Sequence, residues 1–487
     1  MKETTGSREV VVLVVLALAG TVVALNQTIV LPLLPVLPEL LDTNADSASW
    51  TVTATLLAGA AATPIVSRLA DMFGKKRMVL VALATMVTGS LVGAVTDSLA
   101  PVILARALQG SGIALVPVGI AIMRDELPRR HVPLGVALMS ATMAIGAGVG
   151  MPLSGLVSAH MDWQALFWIS GGLGAVVLTA IAFLVPESPI RAPGRFDYVG
   201  AILLSVALTT LLLALSKGGA WGWTSPATLS CTIGGGLILG AWVPHQLRVQ
   251  QPVVDLRIAT RPAVLLVNTC AVLLGFAMYT DLLVTVQLLQ MPVHDGYGLD
   301  LNLLKTGMWL APNAITFGLM APVSAVVTKR FGPQVTLLTG ALVMGTAYLG
   351  RSAFSGSLGE VVGGSVAVAV GAALAYAAMP TLIMRAVPIS ETASANGLNT
   401  LLRAIGTSVA SALVAAVASA FLLDTEAGSY TSPTALMGVF QASAAACLVA
   451  VGLIVPMFTL PDYSDRERRT REFVASDDQA VHDKDLV

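Results

Sequence analysis

Apolar runs long enough to cross a bilayer recur about fourteen times along the chain, with short polar punctuation between them. A spanning helix needs about 20 apolar residues, because each rises about 1.5 Å through a hydrocarbon core about 30 Å thick. The pattern predicts spans at 10–33, 49–66, 78–95, 99–122, 134–156, 165–185, 198–215, 227–243, 263–288, 306–327, 335–349, 361–383, 398–422 and 435–460. The runs are continuous and do not alternate with period two, so they read as helices and not as barrel strands. The first run follows Lys2 and Arg8 and passes an Ala17-Leu18-Ala19 triplet that imitates a cleavage site. Its hydrophobicity continues well beyond that triplet, which favours an uncleaved first span.

Composition fixes the class. Of the 487 residues, 55% are hydrophobic and 11% charged, which leaves little chain for a soluble domain. The net charge of −1 hides an asymmetry. With the N-terminus inside, 22 of the 27 Lys and Arg residues fall in inner loops and tails, from Lys2 and Arg8 to Lys484. Three fall outside (Lys217, Lys305, Arg351) and two within spans (Arg106, Arg403). Retention of basic residues in the cytoplasm then puts both termini on the cytoplasmic side of the cell membrane. Outer loops carry acids instead, among them Glu39, Asp42, Asp46, Asp97, Asp162, Asp295, Asp300, Asp424 and Glu426. No loop is long or basic enough to track nucleic acid. The basic cluster Arg466-Glu467-Arg468-Arg469 reads first as a topology signal, second as a contact to anionic lipid. Cys231, Cys270 and Cys447 sit in separate spans as packing residues, and the five histidines form no metal-ligand spacing.

An internal repeat organises the chain. Pro64, Phe73 and Gly74 recur as Pro322, Phe331 and Gly332 with the same interval, each time beside basic residues at an inner helix end. Two related halves follow, as in many transporters. The predicted divisions are 1–186 (six helices), 187–262 (an inserted helix pair), 263–461 (six helices) and 462–487 (a cytoplasmic tail). In the loop after the second span, Gly74 permits a tight turn, Asp71 is placed to cap or pair at a helix end, and Arg68, Lys75, Lys76 and Arg77 anchor the loop inside.

The loop Ser67-Arg68-Leu69-Ala70-Asp71-Met72-Phe73-Gly74-Lys75-Lys76 resembles the gating loop of the major facilitator superfamily, with Ser67 where a Gly is expected and Met72 where an Arg is common. Leu104 to Gly110, carrying Arg106 and Gln109, is similar to that superfamily's fourth-helix motif. Gly146, Gly148, Gly150, Pro152 and Gly155 resemble its helix-bending antiporter motif, although Met151 separates the Gly-Pro pair. The stretch 163–167, the inserted pair after Phe196-Asp197-Tyr198, and Asp255-Leu256-Arg257 resemble the fourteen-helix drug–proton antiporter branch. The resemblance implies two six-helix bundles around a central cavity, with Asn26, Arg106, Asp281 and Tyr376 on the helices that line it.

Charges inside a bilayer are functional sites by default. Asp281 is the expected protonatable or cation-recognising carboxylate, with Arg106 at a similar depth as its neighbour. Asn26 stands where the branch carries an acid, and an amide does not titrate, so coupling through that position is excluded. Asn399 and Arg403 lie one turn apart and are expected to pin their helix to a neighbour; Asn313 and Gln109 read as interhelical glue. The triple glycine is not a dinucleotide loop, since no strand precedes it, and no phosphate loop of an ATP-driven pump is present. The expectation is a non-enzymatic secondary transporter without cofactors. It draws on the proton gradient to export amphipathic small molecules, cations among them. Its partners are cargo, protons and the lipid bilayer. The alternatives are an uncoupled facilitator, a metabolite or lipid exporter, and a non-transporting sensor or scaffold.

Overall fold

The computed structural model describes residues 3–30, 33–34, 36–192, 194–293, 297–425 and 428–460. Lys2, Asp295, Glu426 and the predicted tail lie outside the described residues. The described chain is helical apart from a short hairpin of β1 (Leu422–Thr425) and β2 (Gly428–Thr431), in which Leu422 faces Thr431.

Among the described residues, fourteen long helices account for the fold. They are α1 (Glu3–Thr28), α2 (Ala45–Phe73), α3 (Lys75–Ala94) and α4, whose segments Leu99–Gly110 and Leu115–Glu126 join through the 3-10 turn Ser111–Ala114. Next come α5 (Val132–His160), α6 (Gln164–Leu184), α7 (Tyr198–Trp221), α8 (Pro226–Arg248) and α9 (Pro262–Gln290). The chain continues with α10 (Leu303–Phe331), α11 (Pro333–Ala353), α12 (Leu358–Ala386), α13 (Thr392–Ala420) and α14 (Pro433–Ile454). Thirteen are long and apolar enough to cross a membrane. The other, α11, is diluted by Gln334, Arg351 and its threonines and glycines, yet packs tightly between α12 and α14.

The repeat seen in the sequence has a physical counterpart at two turns. Asn44 caps α2 by accepting the Ser47 amide at 2.8 Å, and Asn302 caps α10 by accepting that of Lys305 at 2.9 Å. Both helices run through an interior proline, Pro64 and Pro322, and end on Phe-Gly. Gly74 (φ 119°) and Gly332 (φ 89°) then turn the chain straight into the next helix, in backbone conformations that a Cβ strains.

Helices α1 to α6 pack mainly among themselves, as do α9 to α14. Two seams join the groups, α2 against α13 and α5 against α10, with α12 also touching α5 and the second segment of α4 touching α13. Helix α7 packs over the α2–α13 seam, and α8 packs on α7. Ala201, Leu204, Leu208 and Trp242 bury their apolar surface there with Leu57 and Leu401. At one end of the pair Asp197 caps α7 through the Gly200 amide (2.8 Å) and accepts from Gln246 of α8 (2.7 Å), with His245 Nε2 at 3.1 Å. Burial pushes that carboxyl up, but these partners hold it below the usual range. Near the far end of α7, Lys217 donates to Asp46 (2.7 Å) and Ser49 (2.6 Å) at the start of α2 and lies over the Trp50 ring.

Two sequence expectations change here. Lys217 and Arg351 are not loop residues: both are buried in the last turns of helices that outrun their apolar stretches. Each is neutralised by an acid from another helix, a long-range pairing that hydropathy does not register. Cys270 and Cys447 are buried as expected, whereas Cys231 is only half-buried.

Candidate functional site

The loop between α2 and α3 fastens one group of helices to the other. Asp71, in the last turn of α2, is completely buried. Its Oδ2 accepts the Ser394 amide and hydroxyl, both at 2.8 Å, and its Oδ1 accepts the Ala393 amide at 3.2 Å. Those donors belong to the first turn of α13, where free amides and the helix dipole favour a negative charge. Arg124, near the end of α4, donates to the Thr392 hydroxyl of the same turn at 2.6 Å. Neither Ser394 nor Thr392 stands out in the sequence, because each lies more than 260 residues from its partner.

The basic residues beside Asp71 divide their roles. Lys75 is buried in an ion pair with Asp125 of α4, whose carboxylate also accepts from Ser188. Glu187 caps α3 by accepting the Lys76 and Arg77 amides at 3.1 and 3.3 Å, and Lys76 Nζ reaches the Ala182 carbonyl at 2.8 Å. Arg68 is buried with its Nε unbonded. Gly74 passes so close to Glu187 that an added Cβ would lie 2.9 Å from its carboxylate oxygens.

The residues expected to share one cavity separate into three clusters. In the first group, Arg106 donates to the carbonyls of Asn26 (2.7 Å) and Thr51 (3.1 Å) and to Gln109 (2.8 Å). Gln109 in turn donates to Ser90 at 2.9 Å, which also accepts from Ser170. Asn26 is buried, bonded to the Val22 carbonyl at 3.3 Å, with its side-chain oxygen unpartnered. Arg106 has no acid beside it among the described residues. Gln109 thereby bonds α4 to α3.

The second cluster corrects the expected partner of Asp281. It pairs with Arg351 of α11, not with Arg106. Its other oxygen accepts from Ser365 (2.7 Å) and Asn313 (3.1 Å), and Asn313 also donates to the Ser365 hydroxyl at 2.7 Å. Arg351 donates further to Thr285 (2.9 Å) and lies 4.4 Å from the centre of the Phe440 ring. Five helices of the second group therefore meet at this buried knot.

The third cluster lies where the groups meet. Arg403 of α13 stacks 4.7 Å from the Tyr376 ring centre and points one guanidinium nitrogen at Met143 Sδ of α5, at 3.5 Å. Phe317 of α10 meets Tyr376 edge-on at 6.0 Å, and Ser140 of α5 donates to the Tyr376 carbonyl at 3.0 Å. One turn away Asn399 donates to Asn268 of α9 at 3.0 Å, pinning α13 to α9.

The glycines of α5 work by absence of side chains. A Cβ on Gly146 would lie 2.4 Å from Ala24 Cβ of α1, one on Gly150 2.2 Å from Thr28 Oγ1, and one on Gly148 2.1 Å from Ala314 Cβ of α10. The stripe lets α5 approach α1 on one face and α10 on another. Helix α5 runs through Pro152 without interruption, and Gly155 faces open space, so Gly155 has no part in that packing.

The family model of the Major Facilitator Superfamily matches residues 16–411. The chain belongs to the major facilitator superfamily. The transporter is 26% identical to the tetracenomycin C resistance and export protein of Streptomyces glaucescens, over 92% of this chain and 83% of that protein. It is 28% identical to the multidrug resistance protein Stp of Mycobacterium tuberculosis, over 85% of this chain and 76% of Stp. An uncharacterized MFS-type transporter of Bacillus subtilis, YhcA, is 28% identical over 68% of this chain, and the match spans 62% of its length. The structure of the human organic anion transporter MFSD10 (TETRAN) superimposes with a TM-score of 0.67 at 17% identity. It covers 92% of this chain and 99% of that one, a likeness of fold.

Proposed function

We propose that this transporter exports amphipathic, drug-like molecules from the cell by proton-coupled alternating access, as a member of the fourteen-helix branch. In this reading residues 1–186 and 263–461 form the moving halves, 187–262 the inserted pair, and 462–487 a cytoplasmic tail. Both termini lie in the cytoplasm, and the energy source is the proton gradient. One observation carries the reading. The Asp71 carboxylate, buried in α2, holds the amides of α13 across the boundary between the groups. It is a discrete contact that rocking of one half against the other must break and remake. Export rather than uptake draws support from the resistance and export proteins among its relatives.

Asp281 is the proposed proton carrier. In this conformation Arg351 neutralises it, so a proton would bind as Arg351 withdraws. Because Arg351 occupies the carboxylate on which cationic cargo would rest, the proposal specifies amphipathic molecules without that sign. The test is dye accumulation by purified protein in vesicles, with and without an imposed pH gradient. Gradient-dependent accumulation supports the proposal. Equilibration indifferent to the gradient supports the uncoupled facilitator, and no transport at all supports a sensor or scaffold.

A further inference from the structure

Among the buried arginines, Arg106, Arg351 and Arg403 differ in their surroundings. Arg106 is saturated by carbonyls and an amide, and Arg351 is neutralised by Asp281. Arg403 is only 6% exposed, yet its hydrogen bonding among the described residues amounts to one long contact with the Met143 thioether. Sulfur is a weak acceptor, and the Tyr376 ring contributes a cation–π contact and no lone pair. Arg403 lies eleven residues after Thr392, the first residue of α13, about 17 Å along the helix, which places it near the middle of the span. A guanidinium at that depth carries a large desolvation penalty unless an anion or a set of acceptors meets it. Among the described residues the acids buried within the helices are engaged elsewhere: Asp281 by Arg351, Asp125 by Lys75, and Asp71 by the first turn of α13.

The neighbours of Arg403 come from both moving groups. Met143 belongs to α5 and Tyr376 to α12, and Phe317 of α10 packs edge-on against the Tyr376 ring. The result is a cation bordered by a thioether and an aromatic ring, with a second ring backing the first, at the boundary that alternating access opens and closes. Planar aromatic bodies suit such walls, and a guanidinium fork suits a carboxylate, sulfonate or phenolate. We infer that Arg403, Tyr376, Phe317 and Met143 form the cargo site, and that its preferred cargo is an organic anion whose charge is attached to an aromatic body. This rests on the transporter reading and adds to it the sign of the cargo. It sets aside the cations that the sequence expectation included among the cargo.

Direct binding separates the two claims, because it does not require turnover. The purified protein is placed in nanodiscs of zwitterionic lipid, and two xanthene dyes are titrated by fluorescence polarisation in mildly alkaline buffer. Fluorescein is an anion there, and a rhodamine ester, with a similar ring body, is a cation. Fluorescein should bind more tightly than the rhodamine ester. Arg403→Gln should weaken fluorescein about 10- to 100-fold, the range for loss of a buried charge-assisted hydrogen bond. Arg403→Lys should fall between, keeping the charge and losing the planar fork. Met143→Glu places a carboxylate beside the guanidinium, so the variant should fold with a new ion pair and lose fluorescein binding. A merely structural Arg403 would not produce that loss. Tighter binding of the rhodamine ester, no fluorescein binding by the parent protein, or parent-like binding in Met143→Glu would overturn the inference. Fluorescein binding without gradient-driven transport would instead count against the coupled transporter while leaving the site intact.

Discussion

Replacing Asp71 by asparagine removes the charge from the latch while keeping its shape. The carboxylate accepts three hydrogen bonds from the first turn of α13, two of them at 2.8 Å. Bonds to a charged group contribute about 1.5–3 kcal/mol each against about 1 for neutral ones. The favourable placement of an anion at a helix N-terminus adds about 0.3–1 kcal/mol. An amide also turns one acceptor into a donor that faces other donors. Allowing for the Arg124–Thr392 bond, which survives, the latched arrangement should lose about 3 kcal/mol relative to the unlatched one. That corresponds to a population shift of about 100-fold. Ser67 reports on it, because it is fully buried and its Oγ lies only 2.5 Å from the Cβ position of Gly397 across the α2–α13 seam. In a chain whose three native cysteines are replaced, Ser67→Cys should react slowly with a water-soluble maleimide. Adding Asp71→Asn should speed labelling by one to two orders of magnitude, and Asp71→Glu by less. Unchanged labelling in the Asp71→Asn background would refute the latch, as would normal transport by that variant at matched expression.

Gly74→Val and Gly332→Ala both force a Cβ onto a left-handed turn, at about 1–2 kcal/mol each. Only Gly74→Val also crowds a capping carboxylate, so it should show the larger fall in thermal stability of the detergent-solubilised protein and the larger loss of transport. Asp281→Asn leaves Arg351 buried without its counter-ion and should destabilise by about 3–5 kcal/mol, whereas Asp281→Asn with Arg351→Gln should recover most of the melting temperature. If the double variant folds yet still accumulates dye in response to a pH gradient, Asp281 is not the proton carrier. Gly150→Val should disrupt the α5–α1 contact and lower both yield and transport, while Gly155→Val, facing open space, should be neutral; equal behaviour of the two would remove the close-approach role from the stripe.

Much of the architecture is legible in the sequence because its causes are local. Continuous apolar runs specify helices, and Gly74 and Gly332 mark turns that other residues adopt only with strain. The placement of Asp71 at a helix end, ready to cap or pair, is equally local. Its target is not, since the first turn of α13 is remote in sequence and carries no compositional signal. Arg351 shows how local reasoning misleads. A charge near the end of an apolar run reads as the start of a loop, but the helix continues through it because Asp281 waits on α9. Depth counted along helices put Arg106 and Asp281 at one level, yet said nothing of which face of its bundle each occupies. Arg403 is the converse case. It was visible as a charge inside a span, but the weakness of its surroundings emerges only when Met143 and Tyr376 are brought beside it.

Helices α7 and α8 give the molecule unequal flanks. At the α2–α13 seam, lipid chains meet α7 and α8 and not the seam itself. At the α5–α10 seam no such cover intervenes among the described residues, and the outward faces of Ile315, Leu319 and Val326 on α10 are open to hydrocarbon. Among the described residues, an amphipathic solute dissolved in a leaflet would find the boundary uncovered on the α5–α10 flank. On that flank the glycines of α5 are themselves covered, by α1 on one face and α10 on the other. The pair α7 and α8 thus acts as a shutter over one of the two seams and leaves the other without one among the described residues.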